Sequence, residues 1–369
     1  MHLDFLRDYH EAQVIALARA GRTIERNQVA GTTGLTPQAV SKVLARLLDA
    51  GMIARDGSRR PAVGKPAVVY RLVPEARWAI GAHVSRRSVR LVLTDLAGQI
   101  HDSAVTALPD DFTPAQLLDA LAAGVATMTA RHHLSSAGAA TGADGPGRLL
   151  IGVGIGMIGP LDQARGTVRG AHRLRHWHDV PLAELAGQRL GLPVLLDKDV
   201  TAGITAEAWR HGTDFPDAAL VMVEAGLGAG LWLNGVTHRG THTNAGEFGH
   251  TVVQLDGPPC ACGRRGCLEA VHDQATDPVT AARILATGVI NLLQTLDLGR
   301  VVLAGADLLA NGEIYRREVE LAVRTQLPGA GWLAVEVTLS ELGTDVIAAG
   351  AAMQVLNARH GLPLPTAGH

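Results

Sequence analysis

Three cysteines, one histidine and two glutamates fall within 24 consecutive residues of this chain. Residues 246–269 read GEFGHTVVQLDGPPCACGRRGCLE and hold its only cysteines. Zinc prefers nitrogen and sulfur ligands, and three thiolates with one imidazole complete a tetrahedron that leaves no open position for a catalytic water. The glycines between the cysteines favour a tight turn around an ion, because glycine tolerates positive φ. The spacing predicts a structural Zn²⁺ site formed by His250, Cys260, Cys262 and Cys267.

The same thiols have two alternatives to a metal site. They could be unrelated to the nearby histidine, or they could be paired in disulfides. Disulfides fit poorly because three is an odd number, and because the N-terminal residues lack the basic and apolar regions of a secretory signal. Cysteines clustered this densely are typical of metal or disulfide chemistry, which favours the metal site.

The composition is that of an ordinary soluble protein. Of the 369 residues 47% are hydrophobic, and the formal net charge is −2. No apolar run in the sequence approaches the roughly 20 residues that are needed to span a bilayer. We therefore expect a cytoplasmic protein without a membrane partner.

Charge is distributed unevenly along the chain. Residues 1–77 hold 12 Lys+Arg against 7 Asp+Glu, whereas the remainder holds 21 against 28. A small basic N-terminal part on an acidic body suggests a head that binds nucleic acid.

The N-terminal part carries the pattern of a helical DNA-binding module. Helices are predicted over about 6–20 and 24–32, and a third begins where Thr36 caps a helix with Pro37 in its first position. Apolar residues of the third helix recur at i, i+3, i+4, i+7 and i+8, which is one buried face. They are Val40, Val43, Leu44, Leu47 and Leu48. The opposite face carries donors and cations, which reach base edges and phosphates in a major groove.

Two short strands, at 52–54 and 67–70, follow the third helix and enclose a basic loop. Such a loop after such a helix is typical of a winged helix-turn-helix, whose wing brings cations to the DNA backbone or minor groove. We therefore predict a winged helix-turn-helix domain over residues 1–75 that binds double-stranded operator DNA. The residues predicted to contact DNA are Thr36, Gln38, Ser41, Lys42, Arg46, Arg59, Arg60 and Lys65. The alternative is a helical protein-interaction domain with a solvated charged face.

Strands and helices alternate through the rest of the chain, which indicates an α/β fold. An all-apolar strand at 149–155 is of the buried, parallel-sheet type. Other strands are predicted at 78–84, 89–95, 193–196, 220–223 and 301–304. Helices are predicted at about 114–132, 200–211, 279–295 and 345–360.

Several motifs of this part resemble those of the ROK family, which holds sugar kinases and sugar-responsive repressors. The family pattern of Gly-His, nine residues and CxCGxxGCxE stands intact from Gly249 to Glu269, and ExGH stands at 247–250. Segments at 154–162 and 177–181 also match. The resemblance implies an actin-like (ribonuclease H-like), two-lobed sugar-binding body over 78–369, with a zinc-binding arm at about 246–269. A winged head on this body is the architecture of the repressor branch, because the kinases usually lack that head.

The resemblance also implies which side chains hold a sugar. Asp199 stands at the family's catalytic-aspartate position, and Glu247, His250 and Glu269 match residues that hold sugar hydroxyls. Carboxylates suit this task because they accept hydroxyl hydrogens in charge-assisted bonds. The alternatives are that Asp199 caps a helix and that the two glutamates are solvated.

The chain departs from the family pattern in the two loops that bind phosphate during phosphoryl transfer. The first phosphate loop, DxGGT, is replaced by HVSRR at 83–87 (His83 to Arg87), without the acidic residue and both glycines. The phosphate-binding threonine of the second loop is Ala225. Bulky side chains block backbone approach to a phosphate, so ATP binding and kinase activity are not expected. On the sugar side, Lys198 replaces the family asparagine, and few residues separate the zinc arm from the next core helix.

Together these observations predict a sugar-responsive, DNA-binding transcriptional regulator, specifically a repressor of carbohydrate metabolism genes. We expect a homodimer or homotetramer that binds a sugar between its lobes. The sugar would change DNA binding by favouring one arrangement of the lobes. Two alternatives remain open: a sugar kinase with a DNA-binding head, and a regulator controlled by a protein partner.

Overall fold

The computed structural model describes residues 2–21, 23–59, 66–136, 148–170, 174–212, 215–224, 226–327 and 334–360. Its helices are α1 (His2–Gly21), α2 (Arg26–Thr33), α3 (Pro37–Asp49), α4 (Pro114–Arg131), α5 (Leu182–Leu190), α6 (Asp199–His211), α7 (Leu268–His272), α8 (Pro278–Leu296), α9 (Ala306–Leu309), α10 (Gly312–Gln326) and α11 (Val346–His360). Its strands are β1 (Thr23–Glu25), β2 (Ile53–Arg59), β3 (Ala67–Leu72), β4 (Arg77–Val84), β5 (Ser88–Asp95), β6 (Ile100–Ala107), β7 (Ser135–Ser136), β8 (Leu149–Met157), β9 (Leu161–Asp162), β10 (Thr167–Val168), β11 (Val194–Lys198), β12 (Ala218–Val223), β13 (Leu227–Leu233), β14 (Val236–His238), β15 (Arg300–Ala304) and β16 (Glu336–Leu339).

Three helices and a small antiparallel sheet form the N-terminal head. α3 begins where the sequence predicts it, because the Thr36 hydroxyl accepts the Ala39 N–H at 3.3 Å and Pro37 occupies the first position. Its predicted apolar face is buried except for the half-buried Leu48. β2 and β3 pair antiparallel and are longer than predicted. These elements present the other face of α3 to solvent.

The prediction for the second helix is wrong at its N-terminal end. Thr23–Glu25 form β1, which pairs with β3, and α2 begins only at Arg26. The Ile24 side chain is 1% exposed and packs in the core of the head. A β-branched residue is well suited to a buried strand, and this burial decides the local structure here.

The rest of the chain forms two lobes around sheets of the same design. The first sheet has the order β11-β8-β4-β5-β6, with β7 beside β8, and the second has the order β14-β13-β12-β15-β16. In each sheet three neighbouring strands pair antiparallel, and two further strands are added in parallel beside them. This duplication confirms the predicted two-lobed α/β fold.

α6 and α11 lie side by side between the two sheets. α11 packs on β4 and β8 of the first lobe, whereas α6 packs on β13 of the second. The two helices touch backbone to backbone at Gly350, where an added Cβ would come within 1.7 Å of the Ala202 carbonyl oxygen. α4 and α5 pack on the first sheet, and α8 and α10 share the core of the second lobe. α6 is therefore held between the lobes along its length.

The head packs against the first lobe. α1 contacts α11, and one apolar cluster combines head residues such as Val14 with Leu356 of α11. The predicted junction near Pro74 is a 3-10 turn whose Pro74 carbonyl accepts the Leu96 N–H at 3.0 Å. Head and first lobe therefore share a continuous core.

Among the described residues, one helix is long and apolar enough to cross a membrane by length and composition. It is α8, with 19 residues and a mean hydropathy of 1.3. Its Leu285, Val289 and Leu293 are buried in the core of the second lobe. Core helices of soluble proteins meet the same criterion, so this helix is weak evidence for a membrane span.

Candidate functional site

The region that holds the four predicted metal ligands folds as a compact arm. His250 ends a short 3-10 turn, and Cys267 directly precedes α7. Gly266 has a φ of +67°, and a Cβ there would lie 1.6 Å from the Gln254 carbonyl oxygen. Only glycine fits this position, because it combines positive φ with close backbone approach. The glycine thus allows the arm to fold back on itself beside the thiols.

The four predicted ligands converge. Their ligand atoms all lie within 4.8 Å of one another. His250 Nδ1 is 3.5 Å from Cys260 Sγ, and Cys262 Sγ is 3.6 Å from Cys267 Sγ. A tetrahedral zinc with Zn–S of about 2.3 Å and Zn–N of about 2.0 Å requires S···S of about 3.8 Å and S···N of about 3.5 Å. The donor set and its spacing therefore fit a metal ion of this kind.

The thiols differ in how readily they ionise. The backbone N–H of Arg264 stabilises the Cys262 thiolate and lowers the pKa of this thiol to about 7. Burial raises the pKa of Cys267 to about 12. Thiolates are the form that binds metal, and a bound dication would stabilise the thiolate even at the buried position.

The four residues predicted to bind a sugar line one cleft between the lobes. Asp199 comes from the first lobe, whereas Glu247, His250 and Glu269 come from the second. Cys262 also lines this cleft, so the thiol cluster adjoins it. The cavity measures about 100 Å³, which is below the roughly 300–1,000 Å³ of most small-molecule pockets. The sugar-binding role of these side chains stays a prediction.

Asp199 is buried at the start of α6. The cap residue of that helix is Lys198, so the alternative in which Asp199 caps the helix is wrong. Its Oδ1 accepts the Val200 N–H at 2.7 Å, and the residue is 7% exposed. Burial raises the pKa of Asp199, whereas the charges of His83 and Lys198 act in the opposite direction. A carboxylate accepts several hydrogen bonds, so this group suits hydroxyl donors.

Lys198, which the sequence marked only as a departure from the family pattern, forms an ion pair across the cleft. Its Nζ donates to Glu247 Oε1 at 2.6 Å and to the Ala245 carbonyl at 3.0 Å. Glu247 Oε2 lies 3.9 Å from His250 Nε2. A polar chain therefore runs from the first lobe, through Glu247, to the thiol cluster.

The two glutamates are not simply solvated surface groups. The Glu247 side chain is 32% exposed and paired with Lys198. Glu269 is half-buried, and its Oε2 accepts the Leu227 N–H at 3.0 Å. The Glu269 carboxylate is therefore held by the backbone of the second lobe, and the Glu247 carboxylate is held by Lys198 across the cleft.

Titratable side chains also line the part of the cleft formed by the altered phosphate loops. His83 is 5% exposed, and burial lowers its pKa to about 4. Arg86 and Glu224 line the same cleft, and burial raises the pKa of Glu224. The sequence analysis identified the loop from His83 to Arg87 but, in the second loop, only Ala225, which lies outside the described residues. An acidic residue at the start of a glycine-rich loop was the signal that could have revealed Glu224.

Three of the side chains predicted to contact DNA are engaged within the head. Thr36 caps α3, and the Ser41 hydroxyl donates to the Pro37 carbonyl at 2.8 Å. Arg46 Nε lies 2.5 Å from a carboxylate oxygen of Glu11 on α1. Arg46 therefore braces α3 against α1 in the absence of DNA.

Among the described residues, the remaining predicted DNA contacts are more accessible. Gln38 and Lys42 are exposed on α3. Arg59, at the end of β2, has a side chain that is 80% exposed and lies 3.7 Å from Glu25. Arg60 and Lys65 lie outside the described residues. The structure thus gives Gln38 and Lys42 as the most available contacts of α3.

The duplicated sheets and the cleft between them define the class of two-lobed, actin-like α/β proteins. Within this class, residues 79–276 match the model described as the ROK family. The match covers more than half of the chain, and the protein belongs to this family. The resemblance seen in the motifs is confirmed.

Relatives include transcriptional repressors. The xylose repressor of Caldicellulosiruptor bescii is 24% identical over 265 residues, which cover 72% of this chain and 63% of the relative. The DNA-binding transcriptional repressor Mlc of Escherichia coli is 27% identical over 281 residues, which cover 73% of this chain and 64% of the relative. The chain thus spans about three fifths of the length of the curated relatives that it matches. Proteins named glucokinase are also among the matches.

A solved structure matches nearly the whole chain. It is a ROK family transcriptional regulator described as a homologue of the Escherichia coli Mlc protein, with a TM-score of 0.76 and 19% identity. The match covers 97% of this chain and 98% of that chain. At this identity the likeness shows the fold alone. The coverage is wide enough to include most of the head as well as both lobes.

Proposed function

We propose that this protein is a cytoplasmic transcriptional regulator whose DNA binding responds to a sugar. The observation that carries the proposal is the packing of a head with an exposed, polar α3 face onto a two-lobed body whose cleft is lined by carboxylates. Relatives named as xylose repressor and as DNA-binding transcriptional repressor support it. Repression of sugar-metabolism genes is the proposed outcome.

The head acts in this proposal as a winged helix-turn-helix domain over residues 1–75. Lys42 contacts a phosphate and Gln38 reaches a base edge, because both are exposed on α3. Two heads in a homodimer or homotetramer would read half-sites about one helical turn apart. Arg46, which is held by Glu11, would first have to exchange that carboxylate for a phosphate.

The arm carries zinc in this proposal, and the ion is structural. His250, Cys260, Cys262 and Cys267 would fill its coordination sphere, so no position remains for a substrate water. His250 then links the ion to the cleft, because its Nε2 faces Glu247. The ion would fix the arm and thereby the positions of Glu247 and Glu269.

α6 is the proposed route from the sugar to the head. Its first residue, Asp199, lines the cleft. Three turns later the Arg19 guanidinium of α1 lies 3.8 Å from the centroid of the Trp209 ring. Burial lowers the pKa of Arg19 to about 10, so the guanidinium still carries its charge at neutral pH. A small displacement of α6 by a ligand would therefore reach α1 directly.

A sugar kinase is the second candidate, because the family also includes proteins named glucokinase. Glu224 and His83 argue against it, since they line the cleft where the phosphate loops are altered. The loop at 83–87 lacks the glycines of a backbone cradle for phosphates, and phosphoryl transfer needs such a cradle. We expect no ADP release above background in a coupled assay across hexoses. Turnover that Asp199→Asn abolishes would establish the kinase instead.

The test of the proposal is DNA binding by the purified protein. Gel shifts at moderate salt with fragments that flank its own gene should show a specific complex. Lys42→Ala should weaken binding to all fragments and reduce the salt dependence by about one counterion. Arg317→Ala, which removes an exposed cation of α10, is the matched control and should bind as the wild type does. Absence of any specific complex would contradict the proposal.

A further inference from the structure

Lys198 occupies an unusual place for a lysine. Its side chain is only 4% exposed, yet it lines the cleft in which the sugar is proposed to bind. Buried lysines are rare unless they are paired. The partner of Lys198 is Glu247, at 2.6 Å. The ammonium therefore uses one of the carboxylates that the proposed sugar site depends on.

The chemistry of this pair sets up a competition. The proposed sugar ligands Asp199, Glu247 and Glu269 are acceptors, and a sugar hydroxyl is their natural donor. A lysine ammonium is donor only, with three hydrogens. The Lys198 ammonium lies 2.6 Å from Glu247 Oε1 and occupies the position from which a sugar hydroxyl would donate to that oxygen. The small volume of the cavity, about 100 Å³, is consistent with a site partly filled by its own side chains.

The segment that carries Glu247 has a second attachment to the first lobe. Arg239, eight residues earlier, pairs with Asp197 through Nε at 2.8 Å and a terminal guanidinium nitrogen at 2.7 Å. Asp197 also accepts a hydrogen bond from Gln354 of α11. Loss of the Lys198 pair would therefore leave this segment anchored. The effect of Lys198 on ligand binding can then be separated from loosening of the segment.

We propose that the Lys198 ammonium competes with sugar hydroxyls for Glu247 and so determines which ligands bind and how tightly. This blocking role at the sugar site is called the cap, and it is separate from the position of Lys198 at the start of α6. The inference rests on the proposed function, because it takes the cleft to be the sugar site. A neutral sugar must insert between Lys198 and Glu247 to bind. Two adjacent hydroxyls of a sugar could replace the direct ion pair. One hydroxyl would accept a hydrogen bond from the Lys198 ammonium, and the other would donate to the Glu247 carboxylate.

Calorimetric titration of the full chain with D-glucose and D-xylose tests the cap. Lys198→Asn installs the residue of the family pattern and frees Glu247, and Lys198→Gln keeps a donor for the Ala245 carbonyl while removing the charge. Both variants should bind at least one of these sugars about tenfold more tightly than the wild type, or bind where the wild type does not. Tenfold corresponds to about 1.4 kcal/mol. Adding Glu247→Gln to Lys198→Asn should cancel the gain.

Arg165→Gln is the control, since it breaks an exposed ion pair of the same lobe outside the cleft. It should leave sugar affinity unchanged. Equal or weaker affinity in both Lys198 variants, including absence of binding by all proteins, would overturn the cap. Loss of cooperative thermal unfolding in both would also contradict it, because a competitor for Glu247 is not a support of the fold. The titration contains no DNA and the gel shift contains no sugar-site variant. A negative result for the Lys198 cap can therefore be distinguished from a negative result for DNA binding.

Discussion

At the scale of single residues, the thiol cluster offers the clearest prediction. Cys260→Ser and Cys262→Ser should each reduce bound zinc from about one ion per chain to near zero, because a three-ligand remnant binds zinc far more weakly. The melting temperature should fall as well, since metal binding stabilises the folded state. Zinc analysis by mass spectrometry and thermal melting would measure both.

The matched control for the cluster is a hydroxyl outside the ligand set. Thr127→Ala, which removes an exposed hydroxyl of α4, should keep zinc and melting temperature unchanged. Full zinc content in both cysteine variants would show that the cluster is not the metal site. Zinc loss without any change in melting temperature would show that the ion does not support the arm.

His83 gives a prediction about pH. Its pKa falls from the ordinary 6.5 to about 4 in the folded protein, mainly through burial. Between these values the unfolded chain binds the proton and the folded chain does not, so this contribution is complete above pH 6.5 and is lost as pH falls. From pH 7 to pH 5 it amounts to about 2 kcal/mol. Asp199 and Glu224, whose pKa values are raised by burial, act in the opposite direction.

Because of these opposing groups, the measurement compares His83→Asn with the wild type. Urea unfolding at pH 7 and pH 5 should show a smaller loss of stability on acidification in the variant. Equal losses in the two proteins would mean that His83 is not held neutral in the cleft. The carboxylates are present in both proteins, so the part of their contribution that does not depend on His83 cancels in the difference.

The site was predictable from sequence only where its contacts are local. Three ligands of the metal cluster fall within eight residues, 260–267, and the tight spacing itself carries the chemistry. The Lys198–Glu247 pair joins residues 49 positions apart. Only the folded lobes bring these two side chains together. The sequence could mark Lys198 as unusual, but it held no information on its partner.

At the scale of secondary structure elements, α6 is predicted to carry the ligand signal. Arg19→Met keeps the aliphatic stem but removes the charge above Trp209, a contact worth about 0.5–2 kcal/mol. Sugar affinity in calorimetry should be unchanged. The sugar-induced change in DNA affinity should shrink by about two- to tenfold in anisotropy titrations, because the head would no longer follow α6.

Arg317→Met is the control for this substitution, since Arg317 lies on α10 in the outer part of the second lobe. It should keep the full response. An undiminished response in Arg19→Met would place the coupling elsewhere in the interface between head and lobe. A loss of sugar binding in Arg19→Met would show that the contact supports the fold of the cleft itself.

Strongly patterned elements were predictable, and those fixed by tertiary contacts were not. α3 has its cap, its proline and its apolar stripe in the sequence, and it begins where predicted. Thr23–Glu25 resembled part of a helix because nothing local indicates the strand partner in β3. α10 was not predicted, although its buried residues Tyr315, Val319 and Val323 are spaced as one helical face in the sequence.

At the scale of the whole molecule, the arrangement joins three parts that the proposed regulator needs. The head shares a core with the first lobe, the cleft lies between the lobes, and α6 and α11 are packed between the two sheets. The sequence indicated the order of these parts through charge and motifs. How the head lies on α11 and α6 depends on surfaces distant in sequence, which only the structure provides.

The most direct test of this account is the DNA affinity of the purified protein with and without a bound sugar. Anisotropy titrations would use a labelled fragment from upstream of its own gene, with D-xylose, D-glucose and other neutral sugars shown by calorimetry to bind. Allosteric coupling of about 1–3 kcal/mol predicts a change of about 5- to 150-fold in the DNA dissociation constant. A DNA dissociation constant that stays the same while the sugar site is saturated would contradict the account.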